Sequence, residues 1–91
     1  MALNIEEPTA REILGPRPRM RDIAEQICRE NGLTLALLTG GSRERKISWP
    51  RQEAFRRCHE LGYSSHQIAR FFNRDHSVVI YGVAKAKERL A

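Results

Sequence analysis

Apolar residues recur along this chain at spacings of three and four, the period of helices that bury one face. Met20, Ile23, Ala24, Ile27 and Cys28 form one such stripe, which predicts a helix from Met20 to Asn31 with Asn31-Gly32 as its stop. Leu33, Leu35, Leu37 and Leu38 follow as a dense patch, read as a second short helix or a packed loop that Thr39-Gly-Gly-Ser42 interrupts. Ala54, Phe55, Cys58 and Leu61 predict the next helix, from about Pro50 to Leu61. Pro50 suits its first turn, where the missing donor is not needed, and Ser48 is the candidate cap. Arg51, Gln52, Arg56 and Arg57 then point outward.

Ser64 and Gln67 stand three residues apart, the spacing of a capping box, ahead of the apolar residues Ile68, Ala69, Phe71 and Phe72. A tight polar turn at Asn73-Arg74-Asp75 separates that helix from the last one, which Asp75 is placed to cap. In this last helix Val79, Val83, Ala86 and Leu90 form the inward stripe, while His76, Ser77, Ile80, Tyr81, Ala84, Lys85 and Lys87 point elsewhere. Two short helices around a tight turn outline a helix-turn-helix, whose second helix enters the major groove of DNA. The predicted fold is all-α, a small helical bundle carrying that motif.

Ahead of Met20 lie three of the four prolines, Pro8, Pro16 and Pro18. They confine any helix there to Thr9–Leu14 and make Gly15–Arg19 a stiff basic connector, read as a solvated linker. Residues 1–19 are thus expected to be an arm and 20–91 the domain.

A length of 91 residues allows one modest core and no second lobe. Sixteen Lys and Arg against eleven Asp and Glu, with a pI near 9.9, lean towards an anionic partner. Cys28 and Cys58 lack zinc-like spacing and read as reduced core thiols. No apolar run approaches the roughly 18 residues of a membrane span, and the N-terminus lacks the basic region of a secretory signal, so the expected location is the cytoplasm, on the nucleoid.

Arg74-Asp-His-Ser-Val-Val79 closely resembles the arginine-aspartate-histidine-threonine-threonine-valine signature of the C-terminal DNA-binding domain of the bacterial replication initiator DnaA. Pro50-Arg-Gln52 and Ile68-Ala-x-x-Phe-Phe72 resemble two further motifs of that domain, in the same order and at similar spacing, apart from a turn one residue shorter at Asn73. The resemblance implies double-stranded DNA as partner, no cofactor or metal, and one monomeric domain per site. It implies that Arg43 enters the minor groove, with Arg45 close by, and that Arg51 and Gln52 hold phosphate. It further implies that Asp75, His76 and Ser77 read base edges and thymine methyls. Short polar side chains at a helix N-terminus, and an arginine in a narrow groove, are chemically suited to those roles.

Departures from the family pattern fall near the same surface. Val78 replaces a hydroxyl residue, so it can touch a thymine methyl but cannot donate. Gly82 stands where a small alanine or serine is usual, at a helix cost of about 1 kcal/mol. His59 replaces a lysine used for phosphate, and His66 replaces a proline close to the bases. Base contacts are therefore assigned to Arg43, Asp75, His76, Ser77, Val78 and His66. Phosphate contacts are assigned to Arg45, Lys46, Arg51, Gln52, His59, Arg74 and Lys85. Trp49, just ahead of Pro50, is read as packing against the third helix in preference to stacking near the DNA backbone.

The resulting expectation is a sequence-specific DNA binder at DnaA-box-like sites, a regulator of transcription or of replication that competes with a full-length initiator. The chain carries no Gly-x-x-x-x-Gly-Lys-Ser/Thr loop, which excludes origin melting driven by its own ATP hydrolysis. An enzyme built from Cys58-His59, His66 and His76 is disfavoured, because adjacent helical residues point about 100 degrees apart and no fourth ligand falls at a zinc-like spacing. A protein-binding module of the same fold is the remaining alternative.

Overall fold

The structure is a computed structural model, and it describes residues 17–91. The candidate helix at Thr9–Leu14 lies outside the described residues. Within them the chain forms five helices: α1 (Met20–Asn31), α2 (Leu35–Thr39), α3 (Arg45–Glu60), α4 (Ser65–Phe72) and α5 (His76–Leu90). The all-α expectation holds. None of these helices is long and apolar enough to cross a membrane.

Local chemistry sets most of the boundaries. Gly32, at φ 65, ends α1, and the Leu33 N–H closes back onto the Cys28 carbonyl at 2.9 Å. The dense leucine patch resolves as a true helix, because the Thr34 hydroxyl accepts the Leu37 N–H at 3.2 Å and so caps α2. At α4 the capping box forms in both directions: Ser64 Oγ accepts the Gln67 N–H at 3.1 Å, and Gln67 Oε1 accepts the Ser64 N–H at 2.8 Å. Asn73 ends α4 at φ 56, a left-handed conformation that asparagine tolerates better than most residues.

Helix α3 departs from expectation. It starts at Arg45 with Glu44 at its cap, so Ser48 caps nothing and Pro50 lies inside the helix. Extending the apolar stripe back one turn buries Ile47 beside the core, and Pro50 sits at the half-exposed surface, where the lost Lys46–Pro50 hydrogen bond is tolerable.

Helix α3 touches each of the other four helices, and α5 runs along it. Ile23, Ala24 and Ile27 of α1, Leu38 of α2, Ala54, Phe55 and Cys58 of α3, Ile68 and Phe72 of α4, and Val79 and Val83 of α5 form one buried cluster. Phe72 meets Phe55 edge to face at 5.0 Å, a geometry that adds to burial alone. Cys28 and Cys58 are buried free thiols, and burial raises the Cys58 thiol to about 11.

Gly82 belongs to this packing. A Cβ there would lie 2.7 Å from Phe55 Cδ2, so the glycine lets α5 settle against α3. Two expectations fail at the edges of the core. Leu90 is 64% exposed, since everything after Ala86 projects beyond the packed part of α5. The end of the connector is not a free linker either: Arg17 lies 3.8 Å over the Tyr63 ring, and Tyr63 Oη donates to the Pro18 carbonyl at 2.8 Å.

Candidate nucleic-acid interface

The N-terminal end of α5 presents Asp75, His76, Ser77 and Val78 to solvent on consecutive positions. Asp75 occupies the cap position, but its carboxylate makes no cap hydrogen bond; the backbone alone starts the helix, through Val78 N–H to the Asp75 carbonyl at 3.0 Å. The carboxylate is therefore left facing outward as a free acceptor, the group needed to accept a hydrogen bond from a cytosine amino group. Val78 is 43% exposed, which leaves a methyl pair on the same surface.

His66, exposed at the start of α4, is brought against this end of α5. Its ring stacks on that of His76, with centroids 4.3 Å apart and planes 28° apart. The two helices of the motif thus contribute one continuous patch of side chains able to donate, accept and make apolar contact.

Arg43 is exposed in the loop between α2 and α3, and its guanidinium makes no hydrogen bond or ion pair among the described residues. Arg45 and Lys46 are exposed as well, although they belong to the first turn of α3 and not to the loop. Arg45 leans over Trp49 at 5.0 Å, and Arg89 covers the same ring at 4.3 Å. Trp49 is 44% exposed, so it packs between two guanidinium groups and not into the core, contrary to the simple packing reading.

Other assigned residues sit differently from expectation. Arg51 does not point outward; it is only 7% exposed, and its Nε and Nη1 donate to the carbonyls of Leu38 at 2.6 Å and Ser42 at 3.0 Å. Burial, and secondly the nearby Arg74 charge, lower the affinity of this guanidinium for its proton. Its Nη2 has no protein partner, and neither does the buried Gln52 Oε1. Arg74 is likewise turned towards the protein. It donates from Nη1 to the Phe72 carbonyl at 3.1 Å and to the Asn73 carbonyl at 3.3 Å, and from Nη2 to the Gly40 carbonyl. His59 is exposed beside a groove lined by Ser65, Ile80, Val83, Ala84 and Lys87, and Lys85 lies 3.5 Å from Glu88.

The charge is divided between faces. Glu30, Glu53 and Glu60 on α1 and α3 are engaged by Arg56 and Arg57; Arg57 Nη2 reaches Glu30 at 3.0 Å, and Arg56 Nη1 reaches Glu60 at 2.7 Å. Hydrogen bonds from Arg57 lower the Glu30 pKa, and those from Arg56 first lower that of Glu53. Arg43, Arg45, Lys46, Arg70, Lys87 and Arg89 have no ion-pair partner among the described residues, which leaves unpaired cations in the loop, in the first turn of α3, and on α4 and α5. Sequence reasoning did not single out Arg89, whose link to Trp49 joins residues far apart in the chain.

Comparison with known proteins agrees with the arrangement. The family described as bacterial dnaA protein helix-turn-helix matches residues 20–86. The chromosomal replication initiator protein DnaA of Deinococcus radiodurans is 38% identical over 72 residues, covering 78% of this chain and 16% of that protein. The protein of the same name from Thermomicrobium roseum is 39% identical over 70 residues, covering 75% of this chain and 15% of that protein. The chain therefore spans about one-sixth of the length of these relatives. No solved structure matches it to a significant degree. With the match running from the start of α1 into α5 and covering the whole two-helix motif up to residue 86, the chain belongs to the bacterial DnaA family and carries that family's DNA-binding helix-turn-helix domain.

Proposed function

We propose that the protein binds double-stranded DNA sequence-specifically at DnaA-box-like sites, without catalysis. The exposed first turn of α5, with an uncommitted Asp75 carboxylate and His76 stacked on His66, carries this reading. In this proposal Asp75, His76, Ser77 and Val78 face the major groove, His66 borders it, and Arg43 reaches the adjacent minor groove. Arg45, Lys46, His59 and Lys85 lie along the phosphates. Arg51 Nη2 and Gln52 Oε1, midway along α3, are buried and have no partner within the described residues. Chromosomal DNA as the partner places the protein in the cytoplasm. Its biological effect is regulatory: a domain seated on a box excludes any other protein that reads the same bases, a full-length initiator included.

The test is fluorescence anisotropy with a DnaA-box duplex and a scrambled duplex at two salt concentrations. Tighter binding to the box at both salts is expected, together with a steep fall in affinity as salt rises. Equal affinity for the two duplexes would sink sequence-specific reading. No salt-dependent binding at all would instead favour a protein-binding module.

A further inference from the structure

Helix α2 is short and ends beside the loop that carries Arg43, so its last carbonyls have few helical donors of their own. Three alternate carbonyls across this end, those of Leu38, Gly40 and Ser42, accept from side chains of distant elements. Arg51 of α3 supplies Leu38 and Ser42, and Arg74 of the turn before α5 supplies Gly40. Arg74 also holds the carbonyls of Phe72, the last residue of α4, and of Asn73 in its own turn. A single planar guanidinium therefore bridges the start of the reading helix and the loop thirty-four residues earlier in the chain. The two guanidinium groups stand close enough for the charge of Arg74 to disfavour that of Arg51, which is tolerated because each faces carbonyl oxygens.

We propose that Arg74 is a positioning residue for DNA recognition: by tying Gly40 to Phe72 and Asn73, it sets the distance between the Arg43 loop and the first turn of α5, and so couples reading of the minor groove to reading of the major groove. This rests on the placement of Arg43 in the minor groove proposed above. It reassigns Arg74 from the phosphate contact expected from the sequence, since both Nη1 and Nη2 are directed at main-chain carbonyls. A lysine retains the charge but cannot span both the turn and the loop, because a single ammonium group replaces a rigid fork.

The experiment compares the intact protein with Arg74→Lys, Arg74→Gln, Arg43→Ala and the double variant R43A/R74K. Binding is measured on a DnaA-box duplex and on one altered only at the minor-groove base pairs, with amide hydrogen exchange at Gly41–Glu44 recorded in parallel. Arg74→Lys and Arg74→Gln should both lose preference for the box by roughly 5- to 100-fold, the range for one specific contact. The slope of affinity against salt should stay unchanged, and loop amides should exchange faster. In the Arg43→Ala background Arg74→Lys should cost little more, because the two act through one contact.

A phosphate role would give the opposite pattern: Arg74→Lys near normal, and Arg74→Gln weakening all duplexes alike with a slope reduced by about 1. That result overturns the proposal, as do additive effects in the double variant. Loss of folding in both Arg74 variants overturns it too, because positioning requires the rest of the domain to stand without the contact. If Arg43→Ala leaves preference intact while the loop amides still loosen in Arg74→Lys, the minor-groove reading of Arg43 has failed and the loop clasp alone survives.

Discussion

Asp75, His76, Ser77 and Val78 at the start of α5 are exposed, whereas Val79, Gly82, Val83 and Ala86, further along the same helix, are buried against α3 and α4. The buried half fixes the direction of the helix through packing, and the exposed half is left free of internal obligations. Asp75 shows the division most clearly: it stands where a cap belongs, yet its carboxylate is not used for capping. Packing in the second half supplies the stability that a side-chain cap would have given the first. One helix can thus be held rigidly while its end stays available, provided that changes in the two halves have separable effects.

That separation can be broken most forcefully in the core. Phe72→Ala should destabilise the fold by about 3–5 kcal/mol, because it removes the ring that meets Phe55 and leaves a cavity. Thermal or urea unfolding checks it. Gly82→Ala comes next, at about 1–3 kcal/mol, since its methyl would press on the buried Phe55 ring and the gain in helix propensity is smaller. A neutral or stabilising outcome would show that α5 can move away from α3 without cost.

Changes at the exposed end should move the other observable. His76→Ala should cost about 1–3 kcal/mol of binding to the box duplex relative to a scrambled one, with an unfolding midpoint close to that of the parent protein. A comparable loss on both duplexes would place His76 on the backbone and not on the bases. The smallest effect is expected from acid. Glu30 and Glu53 have pKa values below those of free carboxylates, so their contribution is complete above the ordinary carboxylate range and is lost as pH falls through the lowered folded values. These pairs lie at the surface, where solvent screening keeps their contribution small.

The elements of the fold were legible where their causes are local. The capping box at Ser64 and Gln67, the stop at Gly32 and the turn at Asn73 each depend on residues within a few positions, and all three form as read. The start of α3 was misplaced because the position of Pro50 suggests a first turn, while burial of Ile47, a tertiary effect, favours a helix that begins earlier. At the candidate site, the exposed string from Asp75 to Val78 follows from helical period and the family signature. The roles of Arg51 and Arg74 could not be seen in that way. Their partners are main-chain carbonyls of Leu38, Ser42 and Gly40, which exist at every residue and leave no mark in a sequence. The stacking of His66 on His76 similarly depends on how α4 and α5 are set together.

The most direct test of the division within α5 is a paired measurement on His76→Ala and Gly82→Ala: unfolding midpoint, and the ratio of affinities for box and scrambled duplexes. The expected result is a crossed pattern, with His76→Ala losing the ratio and keeping the midpoint, and Gly82→Ala losing the midpoint and keeping the ratio at temperatures where it is folded. If both variants lose both quantities together, the exposed and buried halves of α5 are not separable and the account is contradicted.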